Sequence, residues 1–578
     1  MKNTLVRSTL AVIFSLTLTA SLFPVNHTAF AAWPEPARAK KAMVASQHAL
    51  ASKIGADIMK RGGNAVDAAV AVGLALAVVY PEAGNIGGGG FMLVRTPNGE
   101  NKFIDYREMA PKAANHDIFI DKDGNLIRGE GSSTIGYRAS GVPGTLAGFD
   151  LAFSKYGSGK LKWSDLVRPA RLLAQNGYIL SYRLAELFKS YKENLAKYED
   201  SNRIFLNNGK FFEEGDLFRQ PDLAKTLSRI ERFGAREFYT GLTAKMIADD
   251  MRAHNGLITQ DDLKNYVAKE RTPLTGTYRG YEIIAPPPPS SGGVVMLEAL
   301  NILEAYDVRK MQANSAAKYH VLAESMRRAF ADRAEFMGDP DFNRLPVATL
   351  IDKKYADSRR ASIDLGKASS SRDVGHGDIP GTESMDTTHF TVVDPSGMVV
   401  TNTYTINDLY GSRVTAKGTG ILLNDEMDDF AARPGRPNLF GLVQGERNSV
   451  QPGKRPLSSM TPTIVLRKDK SVWFALGARG GPRIISAVLQ SVINVIDHDM
   501  DIQEAIDAPR IHHQWLPDEL MYEPFGFSPD TLSILTGLGH KFVGRPGNIA
   551  SATGIMIDDK GVRLGAIDSR SDGLAYGY

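Results

Sequence analysis

The 578-residue sequence predicts a layered α/β architecture. Two observations carry this expectation. Segments with apolar residues at helical spacing dominate the first two-thirds of the chain, whereas short strand-like segments, several arranged as hairpins, cluster around the polar motifs. The length and the 43% hydrophobic content are ample to bury a large core.

In chain order, Gln47 to Arg61 carries apolar residues at helical period, and Asn64 to Val79 is an Ala- and Val-rich helix buried on most sides. Leu166 to Gln175, Leu184 to Tyr198, Asp222 to Phe233, Leu242 to Asn255 and Ala317 to Ala331 are further helical segments. Strands are expected at Phe91 to Arg95, Lys102 to Tyr106, Tyr281 to Ile284, His389 to Val393, Met398 to Thr405, Thr463 to Leu466, Val472 to Leu476 and Gly554 to Ile557. The Pro286-Pro287-Pro288-Pro289 run and the following Ser290-Ser291-Gly292-Gly293 read as a stiff connector within one domain. No compositional shift separates its two sides, and a helical stretch begins near Val294.

The most informative segment is Thr387-Thr388-His389-Phe390, which opens a strand after a Ser-, Gly- and Asp-rich loop from Lys367 to Asp386. Loops are where chains can be cut. A threonine hydroxyl is a poor nucleophile, but cleavage before Thr387 would free an α-amine, with an ordinary pKa of about 7.7–8.0, to serve as its base.

The turn Asp394-Pro395-Ser396-Gly397 suits a three-residue hairpin loop with a bulge at Gly397. That register places Thr405 opposite Thr387, with Thr403 and Asn407 as diagonal neighbours on the same face. A two-residue loop would instead set Tyr404 opposite Thr387 and send Thr405 to the other face.

Composition excludes several function classes. The chain has no cysteine, which removes thiol nucleophiles, thiolate metal sites and disulfides. G-x-S-x-G, Walker-type and H-E-x-x-H motifs are absent. His512-His513 is not a convincing metal pair, because neighbouring strand residues point to opposite faces, and no metal or other cofactor is expected. A net charge of +3 with interspersed signs gives no nucleic-acid footprint.

At the start, Lys2 and Arg7 precede an apolar run from Leu10 to Phe23, with Ala29-Phe30-Ala31 at a cleavage-site spacing. This pattern predicts a signal peptide over 1–31 and a secreted or periplasmic product with no membrane association once it is removed. The run is shorter than the roughly 20 residues needed to span a bilayer.

An ordered series of motifs resembles the γ-glutamyltransferase (glutathione hydrolase) family of the secreted bacterial kind. It comprises Gly87-Gly88-Gly89-Gly90-Phe91, Asp105-Tyr106-Arg107-Glu108-Met109-Ala110-Pro111, the Thr387 segment, Asn424-Asp425-Glu426-Met427-Asp428-Asp429-Phe430, Pro456-Leu457-Ser458-Ser459-Met460, Gly480-Gly481 and Arg510-Ile511-His512-His513-Gln514-Trp515. The resemblance implies an N-terminal-nucleophile αββα sandwich, built from two chains of one self-cleaved precursor. Cleavage between Asp386 and Thr387 would give a large subunit, 32–386, and a small catalytic subunit, 387–578, interwoven as a heterodimer.

It implies an activity and a set of roles as well. Thr387 would attack γ-glutamyl donors such as glutathione or glutamine, and the acyl group would pass to water or to an amino-acid or peptide acceptor. Thr405 would support the nucleophile, and the Gly480 and Gly481 N–H groups would form the oxyanion hole. Arg107, Ser458 and Ser459 would hold the donor carboxylate, and Glu426, Asp429 and Asn407 its ammonium.

Three departures from common family patterns stand out. Glu426 occupies a frequent Gln position, Phe440 a lid position often held by Tyr, and Ala478-Arg479 precede the glycine pair in place of Ser-Pro. The segment from Ala431 to Arg455 implies a lidded pocket for small donors. The competing expectations are an acylase of the same fold acting on glutaryl or cephalosporin-type side chains, and a secreted binding scaffold without catalysis.

Overall fold

The computed structural model describes residues 34–375, 387–436, 438 and 441–578. The expected signal peptide, Asp386 and Phe440 fall outside the described residues.

Two seven-stranded antiparallel sheets form the centre of the molecule. Their strands are β1 (Ala37–Ala39), β2 (Met43–Ser46), β3 (Gly89–Arg95), β4 (Asn101–Tyr106), β5 (Lys269–Arg271), β6 (Leu274–Tyr278), β7 (Tyr281–Ala285), β8 (Thr388–Val393), β9 (Val399–Thr405), β10 (Thr463–Leu466), β11 (Val472–Arg479), β12 (Ser551–Ile557), β13 (Arg563–Ile567) and β14 (Leu574–Gly577). One sheet runs β1-β13-β12-β11-β10-β7-β6 and the other β14-β2-β8-β9-β3-β4-β5. Of the strands that follow Thr387, β8 and β9 lie between β2 and β3, and β10 to β13 lie between β7 and β1, whereas β14 forms an edge.

The sheets face one another through β8, β9 and β11. Thr401 of β9 hydrogen-bonds to the Leu476 carbonyl of β11 at 3.3 Å. A Cβ on Gly477 would lie 2.3 Å from the His389 ring, so glycine is what lets the layers close here.

Helices cover the two outer faces and complete the αββα sandwich. On one side are α1 (Ala49–Lys60), α2 (Ala65–Val79), α3 (Thr145–Tyr156) and α4 (Trp163–Asn176). Asn64 caps α2 by accepting from the Val66 and Asp67 N–H groups, and every residue of that helix is buried. On the other side are α5 (Gly292–Leu303), α6 (Ala316–Phe336), α7 (Arg483–His498) and α8 (Ile502–Asp507). Among the described residues no helix is long and apolar enough to cross a membrane.

The proline run joins β7 to α5 within this unit, as expected, and its Pro289 carbonyl accepts from the Ser458 N–H at 2.9 Å. The segment expected as one helix from Leu184 to Tyr198 is instead broken into Tyr182–Ser190 and Lys192–Leu195. Tyr191 caps the first piece with non-helical φ/ψ and starts the second.

Candidate active site

The hairpin that presents Thr387 adopts the three-residue loop. The Asp394 N–H bonds to the Met398 carbonyl at 3.1 Å, the Gly397 N–H bonds to Asp394 at 3.2 Å, and Gly397 has φ 85°. Pairing of Thr388 with Tyr404 then sets Thr387 against Thr405. The Thr387 hydroxyl donates toward Thr405 Oγ1 at 3.4 Å, and Thr405 Oγ1 also accepts from the Asn407 N–H at 2.8 Å.

Thr387, Thr405 and Asn407 line a small cavity together with Arg107, Glu426, Asp429, Ser458, Ser459 and Gly481. Its volume of about 20 Å³ leaves room for little more than one water molecule. Leu442, Met460, Pro482 and Ile484 supply apolar walls that the sequence reading did not single out.

Each wall comes from a different element. Arg107 follows β4 directly, with its carbonyl accepting from the Tyr266 hydroxyl at 2.7 Å. Glu426 and Asp429 bracket one 3₁₀ turn, the convergence their spacing predicts. Ser458 is fixed by backbone bonds to the proline connector and to Ser291. Asn407 adopts φ 75° and donates its amide NH₂ to the Asp425 carbonyl at 3.1 Å, which leaves its amide oxygen to accept.

Gly480 and Gly481 form the tight turn between β11 and the sixteen-residue α7, with φ 131° and 56°. Glycine is required at Gly480 because a Cβ would lie 2.8 Å from Ala550 Cα. The N-terminus of α7 points its positive dipole end toward this turn. Gly481 lines the cavity, and Gly480 precedes it in the turn without lining it.

Charge is concentrated around Arg107. Its guanidinium is fully buried, pairs with both Glu426 and Asp429, and lies 3.4 Å from Glu108. Burial opposes its charge, but Glu426, Asp429 and Glu108 together raise its pKa above the ordinary arginine value. The acids respond in kind. Burial, offset in part by Arg107, lifts Glu108 to about 7, and the same cause pushes Glu426 well above and Asp429 above the usual carboxylate range. The carboxylate-binding and ammonium-binding groups expected from sequence are thus paired with one another.

Two residues, Thr403 and Arg479, lie away from the cavity. Thr403 does not line the cavity, because its hydroxyl is bonded to His389 Nδ1 at 2.8 Å beneath it. His389 also contacts the Thr391 and Thr401 hydroxyls at 3.1 and 3.2 Å, and burial lowers its pKa to about 3, so it is a neutral packing residue. Arg479 turns its guanidinium to the Tyr80 ring, 5.8 Å from the centroid, and is absent from the cavity wall.

Of the expected lid, the described portion packs over the acid turn. The Gln444 and Asn448 amides donate to the Asp429 carbonyl at 3.1 and 2.6 Å. His512 and His513 bond separately, to Ser486 and Gln514 and to Asp518. The sequence reading also passed over Arg333 of α6, whose Nη2 donates to Ser459 Oγ at 3.4 Å.

Comparison with known proteins agrees with this arrangement. Residues 51–578 match the family described as gamma-glutamyltranspeptidase. The chain is 49% identical over 545 residues to the glutathione hydrolase proenzyme of Escherichia coli K12, covering 94% of this chain and 93% of that protein. Among solved structures it resembles the cephalosporin acylase of Bacillus halodurans, with TM-score 0.82 and 26% identity, over 96% of this chain and 99% of that one. It also resembles the Helicobacter pylori gamma-glutamyltranspeptidase, with TM-score 0.56 and 46% identity, over 57% of this chain and 93% of that one. The chain belongs to the gamma-glutamyltranspeptidase family of N-terminal-nucleophile hydrolases.

Proposed function

We propose that the protein hydrolyses γ-glutamyl amides such as glutathione and transfers the γ-glutamyl group to amino acids or peptides, after cutting itself between Asp386 and Thr387 into subunits 32–386 and 387–578. The observation that carries this reading is a threonine at a strand start, facing a second threonine across a cavity walled by Arg107, Glu426, Asp429, Ser458 and Ser459.

In turnover the Thr387 amine takes the hydroxyl proton as Oγ1 attacks the γ-carbonyl carbon. The C–N bond breaks, the departing amine leaves with a proton, and an ester remains on Thr387. Water or an acceptor amine then attacks the ester carbon and restores the hydroxyl. The Gly480 and Gly481 N–H groups, at the positive end of α7, stabilise the oxyanion in both steps. Thr405 holds the Thr387 oxygen in line, itself fixed by the Asn407 N–H.

The zwitterionic end of the donor inserts between partners that otherwise pair with each other: its carboxylate goes to Arg107, Ser458 and Ser459, and its ammonium to Glu426, Asp429 and the Asn407 amide oxygen. Two carboxylates in a wall this small favour a donor with an ammonium over a glutaryl group, which lacks one. The narrow cavity and the overlying 431–455 segment support small donors over a polymer. The leader pattern supports export, to the periplasm or the medium.

Paired assays with γ-glutamyl and glutaryl anilides test the assignment. Preference for the γ-glutamyl compound is expected, and preference for the glutaryl compound overturns it in favour of the acylase reading.

A further inference from the structure

Before a donor enters, Arg107 is paired with Glu426, Asp429 and Glu108. A second buried cation is bonded to Ser291 and Ser459. Arg333 of α6 is 2% exposed and makes no ion pair among the described residues. Its Nε donates to Ser291 Oγ at 2.8 Å and its Nη2 reaches Ser459 Oγ at 3.4 Å, whereas its buried Nη1 has no hydrogen-bond partner.

Ser291 in turn donates its hydroxyl to the Ser458 carbonyl at 2.7 Å, and its N–H bonds to the same oxygen at 2.8 Å. One guanidinium therefore anchors both serines of the cavity wall, Ser459 directly and Ser458 through Ser291.

Burying an arginine without a carboxylate partner is costly, and such a charge persists where something compensates it. Burial lowers its pKa only to about 10, with Asp429 the one carboxylate that opposes this, so it stays cationic at neutral pH. Its surplus field falls on Ser459, where the donor carboxylate would rest.

We infer that Arg333 is a specificity-determining positioning residue: it orients Ser458 and Ser459 and supplies the net positive charge that selects donors carrying a free α-carboxylate. This rests on the γ-glutamyl reading above and deepens it. Arg107 still meets the α-carboxylate, and Arg333 adds a second charge that acts on it through Ser459.

The test measures kcat and KM on a γ-glutamyl anilide, with L-glutamate as competitive inhibitor, for the wild type, Arg333→Met and Arg333→Lys. Loss of a buried charge near a carboxylate should raise KM and the glutamate inhibition constant together by about tenfold or more in Arg333→Met, with kcat within about threefold. Arg333→Lys, which keeps the charge, should recover most of the affinity. A fall in kcat with KM unchanged, or equal behaviour of the two variants, overturns the inference.

If Arg333→Met does not accumulate folded, Arg333→Lys decides alone. Losing the bonds to the two serines while keeping the charge should raise KM by about two- to fivefold at constant kcat, and a kcat defect at constant KM refutes the role. A wild type that does not turn over the anilide removes the γ-glutamyl assignment itself. A wild type that does, with KM unmoved in Arg333→Met, removes only this inference.

Discussion

Replacing Gly480 with alanine isolates the oxyanion turn from the rest of the site. The added Cβ would lie 2.8 Å from Ala550 Cα and 3.1 Å from its Cβ, both on a buried strand approach with no flexible side chain to yield. Gly480 also has φ 131°, a conformation that costs an L-residue about 1–3 kcal/mol. Relief requires the backbone to rotate or shift, which re-aims the N–H groups at the head of α7. Loss of one oxyanion donor costs about 10²–10³ in kcat, or ~3–4 kcal/mol. The expected result for Gly480→Ala is therefore a fall of that size in kcat on a γ-glutamyl anilide, slower self-cleavage, little change in KM, and a destabilisation of about 1–3 kcal/mol by denaturant titration. A folded variant that keeps kcat within threefold of wild type would refute the placement of the oxyanion hole.

Donor KM should rise as pH falls, because Glu426 and Asp429, whose pKa values burial raises, take up protons and cease to hold the donor ammonium. A KM that is flat from pH 5.5 to 8.5 contradicts that coupling. Thr405→Ala should lower kcat about 10- to 100-fold by releasing the Thr387 oxygen, with Thr405→Ser recovering most of it, as steady-state kinetics will read. His389 is held neutral well below its unfolded value of 6.5, so its contribution is present above that pH and is lost as pH falls and the unfolded chain binds the proton. Thermal melts should accordingly show His389→Leu less sensitive than wild type between pH 6.5 and 4, and an identical pH slope refutes it. Glu426→Gln removes a carboxylate that is already raised by burial, so KM should change by no more than about tenfold, whereas Asp429→Asn should cost more.

Much of the site was legible because turn chemistry fixes register. Pro395 and Gly397 dictate the bulged loop, and from that alone Thr405 follows as the partner of Thr387. The acid turn was legible from the spacing of Glu426 and Asp429. What sequence could not supply was the pairing across distant elements. Arg107 meets its acids only because β4 ends beside a 3₁₀ turn more than three hundred residues later in the chain. Thr403 faces the right layer but lies one step deeper, where His389 claims its hydroxyl.

Helix α7 is absent from the expected helices although Ile484, Ile485, Val488, Leu489, Val492 and Ile493 give a clear helical period. The short strands β1, β2 and β14 are three or four residues long, too short for a periodic signal, and are held by pairing with remote partners. Arg333 sits in a helix whose residues are buried nearly all round, where no amphipathic stripe marks one position as functional.

The central claim is that Thr387 becomes the N-terminal nucleophile of a self-processed enzyme. Intact-mass analysis of the purified protein lacking its leader, alongside Thr387→Ala and an anilide-release assay, tests it most directly. The account predicts two wild-type chains, the smaller beginning at Thr387, with γ-glutamyl anilide turnover, and a single inactive chain for Thr387→Ala. Two chains from Thr387→Ala, or an uncleaved wild type, would contradict it.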